Sequence, residues 1–104
     1  MIEIQSDNFE REVLQTSQPV IVDFWGPQCG PCLALMPKVE ALEGQYVGKV
    51  KVTKVEAPKN RRLCLSLKVL SLPTFLFFKD GTEVDRLSGS VTIEAIETCV
   101  KKML

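Results

Sequence analysis

Residues Val20 to Pro37 read Val-Ile-Val-Asp-Phe-Trp-Gly-Pro-Gln-Cys-Gly-Pro-Cys-Leu-Ala-Leu-Met-Pro. The run Val20 to Trp25 is short, apolar and rich in β-branched and aromatic residues, and it stops at Gly26-Pro27, so it reads as a buried strand ending in a turn. Cys29-Gly30-Pro31-Cys32 follows, and then a helical pattern, which puts both cysteines where a strand hands over to a helix. The first turn of a helix offers free backbone N–H groups and the positive end of the dipole, and both favour a thiolate over a thiol. The thiolate is the form that attacks disulfides. Cys-x-x-Cys beside a βαβ pattern therefore points to a redox dithiol.

Beyond this stretch the chain alternates strand and helix patterns. Ile2 and Ile4 alternate with polar residues as a short first strand. Asp7 with Glu10 has the form of a capping box ahead of a first helix carrying Phe9, Val13 and Leu14. Apolar residues on both sides of Asp23 predict a central strand covered on both faces, as in a parallel or mixed sheet. From Cys32 onward, Leu35, Met36, Val39, Leu42 and Tyr46 recur at helical steps, with Pro37 set to bend the helix. Val50, Val52 and Val55 mark a third strand. Leu63, Leu67 and Leu70 predict a short helix with Arg61, Arg62 and Lys68 outside. Thr74 to Phe78 is a strongly apolar strand, Lys79-Asp80-Gly81-Thr82 a hairpin turn, and Glu83 to Leu87 the returning strand. Thr92 caps a last helix carrying Ile93, Ile96, Val100 and Met103. The fold class is α/β: a central mixed β-sheet flanked by helices, in the order β-α-β-α-β-α-β-β-α.

The totals fit one domain over residues 1–104: the chain is 45% hydrophobic and 25% charged, enough for a core without disulfide staples. Thirteen basic and thirteen acidic residues cancel, so no bulk charge calls for nucleic acid or an anionic membrane. The N-terminus lacks the pattern of a signal peptide and no apolar run is long enough to span a bilayer, so a cytoplasmic protein is expected. Four cysteines in a reducing compartment read as thiols with one working pair. No glycine-rich nucleotide loop is present, and one Cys-x-x-Cys without a second pair or any histidine makes a poor metal site.

Asp23-Phe24-Trp25 with Cys29-Gly30-Pro31-Cys32 resembles the thioredoxin family. Pro37 falls five residues after Cys32, where that family has its helix-kinking proline. Leu72-Pro73-Thr74 resembles the family's cis-proline loop, and Asp80-Gly81 and Gly89 match its late turn and glycine. The likeness runs from about Phe9 to the C-terminus. It implies the thioredoxin fold and a protein-disulfide reductase, with Cys29 as nucleophile and Cys32 as resolving thiol. It also implies that Asp23 exchanges a proton with Cys32 while Lys54 moderates its pKa. A cis bond before Pro73 would offer the Leu72 backbone to an extended substrate. Trp25, Gly26, Pro27, Gln28, Gly30, Pro31, Leu72, Pro73 and Gly89 would make the docking surface. The implied partners are disulfide-containing proteins and a thioredoxin reductase, the implied state is a monomer, and no cofactor is expected.

Histidine between the cysteines marks the oxidants and isomerases of the family, and this chain has no histidine, so the pair should be reducing. Gln28 stands where a second tryptophan is usual, Pro58 where an acid is usual, and Ser71 and Ser90 where small or apolar residues are common. These departures point to weaker or more selective docking. Other readings stand beside this one. The chain could be a non-catalytic docking subunit, against which the intact Cys29/Cys32 pair argues, or an oxidase or isomerase. Asp23 could instead cap a turn or bond a backbone amide. Cys64 and Cys99 read as core filler, with a second, regulatory disulfide as the alternative.

Overall fold

A computed structural model describes residues 1–104. Five strands, β1 (Ile2–Glu3), β2 (Val20–Trp25), β3 (Lys51–Glu56), β4 (Thr74–Lys79) and β5 (Thr82–Ser88), form one sheet in the order β1-β3-β2-β4-β5. β1, β3 and β2 run parallel, and β4 and β5 are antiparallel to their neighbours. The sheet is therefore mixed, and β2 lies at its centre.

Three α-helices cover it: α1 (Gly30–Gln45), α2 (Arg61–Ser66) and α3 (Ile93–Met103). Residues on one face of the sheet, including Val20, Val22, Phe24, Val55, Leu76 and Phe78, pack with Phe9 and Val13 and with Leu63 and Cys64 of α2. On the other face, Ile21, Val52, Phe75 and Phe77 pack with Leu35, Val39 and Leu42 of α1 and with Ile96, Cys99, Val100 and Met103 of α3. Period-two alternation sends successive β2 side chains into opposite cores, which is why the strand is apolar at every position but Asp23. The predicted α/β fold with helices on both faces is the one observed.

Three local expectations are corrected. The first helix is a π-helical segment, Glu10–Leu14, whose wide turn is closed by the Gln15 amide donating to the Glu10 carbonyl at 2.9 Å. No Asp7–Glu10 capping box forms there. Asn8 organises the entry instead, accepting from the Gln5 amide at 2.7 Å and donating to the Glu3 carbonyl at 3.0 Å. The leucine-rich helix α2 is also shorter than its spacing suggests. Lys68 takes a left-handed φ of 58°, and the Val69 amide donates to the Cys64 carbonyl at 2.8 Å while the Lys68 amide donates to Leu65 at 3.1 Å. That pair of bonds is a Schellman ending. Leu70, counted in the stripe by spacing alone, is 83% exposed.

The cap at Thr92 and the apolar stripe of α1 hold. Thr92 accepts from the Ala95 amide at 3.2 Å. α1 runs on through Pro37, whose ring faces solvent, while Cys32, Leu35, Val39 and Leu42 form its buried stripe.

Candidate redox site

β2 ends at Trp25, and the chain turns through Gly26, Pro27 and Gln28 before α1 begins. The turn is tied by the Cys29 amide donating to the Gly26 carbonyl at 3.0 Å. Cys29 is the N-cap of α1, with extended backbone, and its Sγ accepts from the Cys32 amide at 3.2 Å. Cys29 and Cys32 are joined as a disulfide, with their Cα atoms 5.3 Å apart. Cys29 is half-buried, whereas Cys32 is 1% exposed and belongs to the buried stripe of α1. Pro31 lies in the first turn, where its missing donor would be unpaired anyway. The positive end of a sixteen-residue helix favours negative charge on Cys29 Sγ once the pair is reduced.

Asp23 lies two residues before the end of β2. It shares the sheet face of Ile21 and of its neighbour Phe75, which is the face that α1 covers and toward which Cys32 turns. Its side chain is 1% exposed and both carboxylate oxygens are buried without a hydrogen-bond partner. The reading in which Asp23 caps a turn or bonds a backbone amide is thereby overturned. Burial raises its carboxyl to about 7, against the pull of the Lys54 ammonium. Lys54 is its register neighbour on β3, and the ammonium lies 5.7 Å from the centre of the Trp25 ring.

The Leu72–Pro73 peptide bond is cis. Phe24 pairs with Thr74, so the turn after β2 and the loop before β4 meet at one end of the sheet. A Cβ on Gly26 would fall 3.2 Å from Leu72 Cδ1 and 3.5 Å from Pro58 Cδ, so the absence of a side chain there lets the two loops close. The Gly89 amide donates to the Pro73 carbonyl at 3.3 Å. Of the residues named for the docking surface, Trp25 and Leu72 are half-buried, Gly26 and Pro73 are buried, and Pro27, Gln28, Gly30, Pro31 and Gly89 are exposed.

Two features of this end of the molecule carry no signal in the residue pattern. The Thr74 hydroxyl donates to the Ser71 carbonyl at 2.6 Å. An apolar cavity of about 390 Å³ opens next to Leu72, lined by Pro58, Cys64, Leu65 and Leu70 among others. No helix is long and apolar enough to cross a membrane.

A strand-to-helix dithiol with one accessible and one buried sulfur, set on an α/β sheet with a buried acid on the same face, defines a thiol–disulfide oxidoreductase. The Thioredoxin family model matches residues 1–102. The chain belongs to the thioredoxin family. It is 44% identical to the thioredoxin of Acetoanaerobium sticklandii across the full length of both chains. It is 37% identical to thioredoxin 1 of Nostoc sp. over 98% of this chain and 95% of that one. It is also 35% identical to the chloroplastic M-type thioredoxin of Chlamydomonas reinhardtii, over 97% of this chain and 72% of the relative. The resemblance drawn from the sequence is borne out, and with it a protein-disulfide reductase working through Cys29 and Cys32.

Proposed function

We propose that Cys29 is the attacking thiolate and Cys32 the resolving thiol in the reduction of protein disulfides. Cys29 Sγ attacks one sulfur of the substrate disulfide, forming a mixed disulfide and expelling the other sulfur as a thiolate. Cys32, giving its proton to the Asp23 carboxylate, then attacks Cys29 Sγ. The Cys29–Cys32 disulfide forms, the second substrate sulfur leaves as a thiolate, and both products take up protons. Two electrons pass from the dithiol to the substrate. The observation that carries the assignment is the unequal exposure of the two sulfurs, since an incoming protein reaches only the half-buried one.

Asp23 suits the proton transfer because a carboxyl near 7 exchanges protons readily at neutral pH. Lys54 keeps it from rising further. Trp25, Gly26, Pro27, Gln28, Gly30, Pro31, Leu72, Pro73 and Gly89 form the rim on which the substrate docks, with the Leu72 backbone taking an extended segment as a short β-like pairing. We read residues 1–104 as one domain acting as a monomer, re-reduced by a thioredoxin reductase. The unpaired Cys64 and Cys99 thiols fit a reducing compartment such as the cytoplasm.

Insulin reduction driven by dithiothreitol tests the assignment in wild type, C29S and C32S. Wild type should accelerate the reaction and C29S should abolish the acceleration. C32S should accumulate a covalent complex with insulin through Cys29, visible by mass spectrometry. A C32S protein that forms no such complex while C29S does would reverse the two roles.

A further inference from the structure

Arg86 stands on the edge strand β5 opposite Leu76, and so on the face that α2 covers. Its guanidinium is oriented by Glu83, to whose two oxygens Nε and Nη2 donate at 2.8 and 3.0 Å. The remaining donors cross to another element: Nη2 to the Leu67 carbonyl at 2.7 Å and Nη1 to the Lys68 carbonyl at 2.9 Å. Those carbonyls end α2, where a helix leaves acceptors unpaired and a cation suits the dipole.

The segment that follows has little else to hold it. α2 buries only Leu63 and Cys64, and between its end and Pro73 only Val69 is buried. Leu70 and Ser71 are exposed. At its far end the segment is fastened by the Thr74 hydroxyl on the Ser71 carbonyl and by the Gly89 amide on Pro73. At its near end the long-range fastening is the Arg86 fork. Between these points, Val69 to Leu72 build one wall of the apolar cavity and finish at the leucine lying against Gly26.

We propose that Arg86 is a positioning residue for protein-disulfide reduction, fixing the Lys68–Leu72 segment so that Leu72 meets the substrate beside Cys29. The proposal rests on the reading of Leu72 as part of the docking rim. A small disulfide needs only Cys29, whereas a protein disulfide must also seat its flanking chain on that wall. Loosening the segment therefore weakens protein binding and leaves the sulfur chemistry alone.

The test compares insulin with the small aromatic disulfide dithiobis(nitrobenzoate) as substrates for wild type, R86Q, R86K and L72A. For R86Q the insulin KM should rise about fivefold with kcat little changed, the loss of one charged hydrogen-bonded fork. R86K should remain impaired, because an ammonium cannot span two carbonyls and a carboxylate at once. The rate with the small disulfide should stay within about twofold for both. Amide exchange at Lys68 and Val69, whose amides donate to the Leu65 and Cys64 carbonyls, should quicken in both variants. An unchanged insulin KM, or an equal loss on both substrates, overturns the proposal. Should R86Q fail to fold, R86K decides it by the same criteria. L72A shows whether the docking reading falls as well: if L72A raises the insulin KM while the Arg86 variants do not, the rim stands and Arg86 has no part in it.

Discussion

Asp23 sits at 1% exposure with neither oxygen hydrogen-bonded, so its ionisation is set by desolvation, with Lys54 as the moderating charge. Folding raises the carboxyl from its ordinary 3.8 to about 7. Between those two values the folded protein holds a proton that the unfolded chain has released. Stability is then greatest below the lower value and falls as pH rises, by about 1.4 kcal/mol per pH unit crossed, levelling off above the higher one. D23N removes the titration without emptying the space. Denaturant melts should show D23N about as stable as wild type at pH 4 and more stable by about 2–4 kcal/mol at pH 8. The same variant should slow disulfide turnover most above neutral pH, where wild type has an ionised carboxylate to accept the Cys32 proton. A turnover profile unchanged across pH would remove Asp23 from the reaction. An acid inside an apolar run is visible in the sequence. Its lack of any partner is not, because that depends on what the rest of the fold brings to it.

At the scale of the element, the hairpin between β4 and β5 shows local chemistry winning. Asp80 and Gly81 adopt φ of 52° and 78°, with Lys79 paired to Thr82, the primed turn that matches strand twist. A Cβ on Gly81 would lie 2.9 Å from the Leu14 carbonyl oxygen, whereas one on Gly48, at the similar φ of 79°, would meet nothing within 4 Å. G48A should therefore lose only the left-handed penalty of about 1 kcal/mol, and G81A about 3 kcal/mol. Thermal melts check the contrast, since each kcal/mol moves the midpoint by about 4–8 °C in a domain of this size. Where the pattern misled, the cause was also local. Leucines at 63, 67 and 70 keep helical spacing, but Lys68 in the left-handed region ends the helix and turns Leu70 outward. The π-helical entry escaped for the same reason, since Asp7 and Glu10 satisfy a capping pattern that Asn8 pre-empts.

Across the whole molecule the sheet separates two cores, and the two spare cysteines fall on opposite sides of it: Cys64 packs under α2 and Cys99 under α3. They cannot join without unfolding, which rules out the intramolecular second disulfide and leaves both as core filler. Burial raises both thiols, Cys99 to about 11 with the negative charge of Asp85 adding to it. Iodoacetamide applied to the reduced native protein should label Cys29 well ahead of Cys64 and Cys99, whose raised thiols hold little thiolate at neutral pH, as peptide mapping would show. Labelling of either core thiol in step with Cys29 would contradict this packing. Residue order alone was enough for the alternation of strands and helices, the hairpin, the cap at Thr92 and the dithiol at a strand-to-helix junction. Each depends on residues within a few positions of one another, where periodicity and turn chemistry act. The assembled fold was needed for the strand order, the unpartnered state of Asp23, the meeting of Gly26 with Leu72, the division of the cysteines and the reach of Arg86 to α2. Those depend on which distant segments share a face, and burial and hydrogen bonding settle that over the chain as a whole.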